Sequence, residues 1–230
     1  MKKKTSTSPW DFLWYALYAF AGLGLELVLL SFVEPLLFGG ISSGSYSTAQ
    51  RILHWLLTVL CWGLMIGLLA HSSRHSLHFD LSEGGTPDRK RVALGVVLAL
   101  VCILLNAMDW GTLKIIGEFQ SKGALLFLFQ YLYYVFEVGL VFLIVAFGQR
   151  FAEGLISRRS GRSQGSGLSL VPFGGLVLCC TWGAIHILSQ GSLYTGLGVM
   201  IFSLLYGLIY LLCEKNAKYA FPLMLAAFIL

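Results

Sequence analysis

Two side chains in this sequence could do acid–base chemistry from inside apolar surroundings. Glu137 sits in the middle of YLYYVFEVGLVFLIVAFGQR (Tyr131–Arg150), and His186 follows the apolar run VPFGGLVLCCTWGAI. A carboxylate in hydrocarbon costs about 2.5–3.5 kcal/mol on insertion scales, so it is kept where it meets a partner, water or a substrate. A glutamate can serve as general base on water while a histidine holds that water or stabilises the oxyanion. A carboxylate and a neutral imidazole can also bind a divalent metal, so a metal at Glu137 and His186 is allowed but not required. The plainest alternative is a Glu–His hydrogen bond that fixes helix packing.

The elements that must position these groups follow from composition. The chain has 230 residues, 57% hydrophobic and 12% charged, against roughly 25% charged in soluble domains. Seven apolar segments recur, at about 10–38, 52–70, 92–109, 124–150, 169–189, 195–213 and 219–230. The expectation is an all-α, polytopic transmembrane bundle forming one domain over 1–230, in the cell membrane with the bilayer as its surroundings. The first segment reads as a retained span, being too long for a signal h-region. The twelve-residue last segment is short for a full crossing, since a span needs about 20 residues. The five cysteines all fall in apolar segments without ligand spacing, so neither disulfides nor a zinc finger is expected.

Charge sets the orientation. With the N-terminus cytoplasmic, the inner side collects 13 of the 16 basic residues, leaving Arg51, Lys114 and Lys122 outside. The net charge of +5 is therefore a topology signal and not a nucleic-acid footprint. RRSGRSQGSG (158–167) reads as a flexible basic linker. DWGTLKIIGEFQ (109–120) reads as a short helix on the outer surface.

Depth then groups the polar residues. At 1.5 Å per helical residue, Glu137, His186, Glu26 and Asn106 all fall about 20–24 Å from the inner face, on four segments. Glu26 and Asn106 are thus candidate supports for the Glu137–His186 pair. Glu34, before Pro35, reads as interfacial. His54, beside Trp55, could extend the layer but reads more simply as an interfacial histidine. His71, His75 and His78 read as solvated loop residues. Gly22, Gly24, Gly63, Gly67, Gly174, Gly175, Gly196 and Gly198 suit close helix approach.

The C-terminal third resembles the CPBP family of CAAX-protease and bacteriocin-processing membrane proteins. Trp182-Gly-Ala-Ile-His186 stands where that family has F-x-x-x-H, and Tyr206-Gly-Leu-Ile-Tyr210 where it has a Gly-rich helix. The resemblance covers about residues 124–230 and implies an all-helical, glutamate-dependent intramembrane protease fold. The family's E-E-x-x-x-R motif is not matched by paired glutamates. Glu137 is one candidate for it; Glu153, five residues before Arg158, is the other. The final H-x-x-x-N is missing, with Ala226, Ala227 and Phe228 in its place. Three readings stay open: an intramembrane endopeptidase acting on membrane peptides or proteins; a non-catalytic scaffold or regulatory partner, as in bacteriocin immunity or envelope regulation; and a small-solute carrier.

Overall fold

A computed structural model describes residues 7–160 and 170–230. Most of the expected linker 158–167, and the lysines at positions 2–4, lie outside the described residues. The described residues form helices and their connecting loops, with no strand. The helices are α1 (Pro9–Phe38), α2 (Thr48–Ser76), α3 (Arg89–Trp110), α4 (Lys114–Ser160), α5 (Phe173–Ser189), α6 (Leu193–Leu212) and α7 (Ala217–Ile229). Five of them, α1, α2, α3, α4 and α6, are long and apolar enough to cross a membrane; α5 and α7 are shorter apolar helices. All five cysteines are free.

The polarity of surface and core is that of a lipid-facing bundle. Leu53, Leu56, Leu60, Leu64 and Leu68 form an exposed stripe along α2, while His54, Thr58 and Ser73 on the same helix are buried. A helix in lipid gains nothing by hiding leucine and much by hiding polar groups. The centre is α4, which touches all six other helices. Val138 and every residue from Leu140 to Phe147 are at most 4% exposed. A run that is apolar on every side suits a helix surrounded on every side.

This helix is longer than the expected 124–150. It continues past Arg150 at one end and, across a break at Gly123 (φ 72°), takes in the residues expected to lie on the outer surface. That first short stretch turns Lys114 and Glu118, one helical turn apart, into the bundle. At the other end several contacts gather the helix termini. Arg158 reaches the Thr7 carbonyl, Lys215 bonds Glu153, and Arg91 pairs with Glu214. The loop after α2 joins them, with Ala217 N–H donating to the Leu81 carbonyl at 3.0 Å.

Glycines set the closest crossings. A Cβ on Gly174 would fall 2.1 Å from the Val145 carbonyl oxygen, and one on Gly175 2.6 Å from that of Ser203. Helix α5 therefore lies backbone-to-backbone against α4 and α6. Gly67 and Gly198, expected to do the same, face open space instead.

Candidate functional site

The polar side chains of the bundle form two clusters joined by aromatic hydroxyls. The first is built on α1 and α2. Pro35 cannot donate a backbone hydrogen bond and crowds the carbonyl four residues before it. The helix answers with a π turn at Leu29–Val33. Eight residues along an unbroken α-helix, Glu26 and Glu34 would sit about 80° apart around the axis; the extra residue of a π turn brings them toward one line. Both then face His54. Glu34 Oε1 lies 2.7 Å from His54 Nδ1, and Glu26 Oε1 lies 3.3 Å from Nε2.

Burial differs across this carboxylate–imidazole–carboxylate arrangement. The Glu34 side chain is fully buried, His54 is 10% exposed and Glu26 is 26% exposed. The loop between α1 and α2 closes over Glu34, whose Oε2 accepts from the Tyr46 hydroxyl at 2.8 Å. Burial and the neighbouring Glu34 carboxylate push the Tyr46 phenol up from its usual range, so it stays a donor. On the open side, the Tyr133 hydroxyl of α4 lies 3.0 Å from both Glu26 oxygens. One inner acid thus fixes the imidazole, while the other acid keeps an accessible face. A histidine oriented in this way can move a proton or steady a developing negative charge.

The second cluster sits at the break in α4. Glu118 Oε1 accepts from the Tyr134 hydroxyl at 2.7 Å and from Gln130 Nε2 at 3.3 Å, with Lys122 at 3.5 Å. Lys114 Nζ donates to the Phe228 carbonyl at 3.1 Å and lies over the rings of Phe228 and Tyr134. Its ammonium covers the carbonyl end of α7, where a cation is favoured. Glu137 lies between the clusters. It feels the Lys114 ammonium and the Glu26 carboxylate, with the Trp182 side chain nearby.

Among the described residues no hydrogen bond or ion pair joins Glu137 to His186. The Trp182 side chain, one turn earlier on α5, lies near the acid, and the His186 ring packs on its indole with centroids 4.8 Å apart. His186 Nδ1 lies 2.7 Å from the Trp182 carbonyl of its own helix. Nor do the described residues hold any group of three or more His, Cys, Asp or Glu side chains fit for a metal. Glu26 does reach Glu137 electrostatically, while Asn106 ties α3 to α7 by donating to the Ala227 carbonyl at 3.2 Å. Glu153 and Arg158 do not pair with each other: Lys215 takes the first at 2.5 Å and the Thr7 carbonyl the second at 3.2 Å.

From the sequence His54 and Glu34 read as interfacial; in the structure both are buried. The readable signal was Glu34-Pro35, since a proline inside an apolar run forces a helix irregularity that can re-aim a neighbour. A second omission was Gln149. Its side chain is fully buried. Nε2 donates to Glu153 at 2.8 Å and to the Val171 carbonyl at 3.2 Å, while Oε1 accepts from Gly174 N–H at 2.9 Å. It thereby caps α5, whose own N-cap, Pro172, offers no side-chain bond.

A cavity of about 540 Å³ opens beyond Trp182, between α3, α5, α6 and α7, with Asn106, Asp109, Phe202, Tyr206 and Phe228 in its lining. No protein-family model, no curated protein and no solved structure matches this chain.

Proposed function

We propose that this protein is a multi-pass membrane protein with a cytoplasmic N-terminus, a CPBP-like fold and no hydrolytic activity at the family's position, acting as a scaffold or regulatory partner of another membrane protein. The observation that carries this reading is that neither candidate for the motif's glutamate stands in a set fit for hydrolysis. Among the described residues no hydrogen bond or ion pair joins Glu137 to His186, and Glu153 accepts from both Lys215 and Gln149 instead of pairing with Arg158. A general base needs a free lone pair aimed at a water held by its partner.

A second reading is favoured by the Glu26–His54–Glu34 cluster. There a glutamate with an open face, a histidine and a buried orienting acid form the set that hydrolysis needs. In that reading the protein is an intramembrane endopeptidase with a relocated centre: Glu26 activates water, His54 stabilises the oxyanion and Glu34 holds the ring.

One experiment separates the two. Purified protein is incubated in lipid vesicles with a fluorogenic membrane peptide, alongside His54→Ala and His186→Ala. The scaffold reading expects no cleavage above that of empty vesicles for any of the three. Cleavage lost only in His54→Ala establishes the relocated enzyme. Cleavage lost in His186→Ala overturns the scaffold reading and restores the family position.

A further inference from the structure

We propose that the cavity between α3, α5, α6 and α7 is a binding site for a phospholipid with a zwitterionic, amine-bearing head group. Its volume of about 540 Å³ falls in the range of roughly 300–1,000 Å³ typical of small-molecule sites. The interior is apolar and aromatic, with Trp182, Phe202 and Phe228 among its walls. Such walls suit an acyl chain.

The mouth is dipolar. Asp109 lies in the last turn of α3 and lines the cavity. It is exposed and has no hydrogen bond or ion pair among the described residues. An acid at a helix C-terminus faces the negative end of the macrodipole, an unfavourable place unless a cation joins it. Across the cavity, Tyr194 and Thr195 bring the first turn of α6, the positive end of a twenty-residue helix. An ammonium at Asp109 and a phosphate at the start of α6 match that polarity. The aromatic walls add a second attraction for an ammonium. A head group with phosphate but no amine meets only half of the mouth. At the inner end, Tyr206 lines the cavity and its buried hydroxyl has no hydrogen-bond partner.

The test uses the full chain reconstituted in nanodiscs holding equal amounts of phosphatidylethanolamine and phosphatidylglycerol with identical acyl chains. The protein is extracted in a neutral detergent and its retained lipid measured by native mass spectrometry. Wild type should retain phosphatidylethanolamine over phosphatidylglycerol by about tenfold, the value of one charge-assisted contact. Asp109→Asn should bring that ratio close to even. Gly198, which lines the cavity and faces open space, accepts a side chain there without backbone collision. Gly198→Leu should therefore displace the retained lipid while circular dichroism stays that of wild type. Equal retention of both lipids by wild type overturns the proposal. So does an unchanged ratio in Asp109→Asn, or full retention in a folded Gly198→Leu. Peptide hydrolysis is not a readout in any arm, so the outcome is independent of the cleavage experiment.

Discussion

Replacing Gln149 by glutamate tests what its buried amide contributes to the bundle. A carboxylate can still accept from Gly174 N–H, but it cannot donate to the Val171 carbonyl or to Glu153, which Gln149 reaches at 3.2 and 2.8 Å. At an effective dielectric constant of about 20, two carboxylates at the Glu153 separation repel by about 6 kcal/mol. The Lys215 ammonium bonds the same Glu153 oxygen at 2.5 Å, so it stands within about 5 Å of the new charge and returns about 3 kcal/mol. The lost bond to Val171 leaves a carbonyl short of a donor, at about 1 kcal/mol. Gln149→Glu should therefore destabilise by about 4 kcal/mol. The exchange Gln149→Glu with Glu153→Gln restores one acid and one amide in contact, and should recover all but about 1 kcal/mol. Unfolding in mixed micelles, driven by increasing anionic detergent and followed by tryptophan fluorescence, measures all three proteins. A single variant as stable as wild type, or a double variant no better than the single, refutes the account of Gln149.

Two further outcomes follow from other contacts. His54→Ala leaves the buried Glu34 with only Tyr46, and stability in the same unfolding assay should fall by about 3 kcal/mol, as for a buried pair with one partner removed; adding Glu34→Gln should return most of it, and no recovery would refute a charge-based role. In the loop after α2, the Ser82 backbone N–H and hydroxyl, and then Arg74, hold the Asp80 carboxyl below its usual range. A depressed carboxyl pKa contributes stability above the unfolded value, lost as pH falls through the folded one. Loop protection from protease should thus be constant from about pH 8 to pH 5 and decline only below about pH 4; Asp80→Asn should be cut faster at neutral pH, and an equal rate would refute the anchor.

The bundle was legible because lipid imposes one rule on every segment: helices closed on their own hydrogen bonds, with apolar residues allowed outside. The apolar runs all fall on helices, five of them long enough to span, and α2 and α4 extend furthest beyond the expected ends. The site was less legible because depth gives only one coordinate. Residue counting puts Glu137 and His186 in one layer, but it does not say which residue of a face stands beside the acid: Trp182, one turn before His186 on the same face of α5, is the neighbour of Glu137, with the His186 ring packed on its indole. For Glu26 and Glu34, rotation was set by a π turn that periodicity does not report.

The distribution of polar groups bears on what such a bundle is for. Around α4, most buried polar side chains are closed by partners: Gln149 by three bonds, Asn106 by the end of α7, Lys114 by the Phe228 carbonyl. Groups closed in this way hold helices in register and leave little for a substrate. Glu118 Oε2 and Gln130 Oε1 are buried without a partner, and two acids are open to the outside of the bundle. Glu26 keeps an exposed edge beside His54, and Asp109 stands unpaired on the rim of an aromatic cavity. Leaving an ionisable group open inside a membrane protein costs stability that a purely structural role does not require. Both acids adjoin further polar groups, the His54 ring in one case and the unpartnered Tyr206 hydroxyl in the other, and what the protein recognises should be sought at these two places.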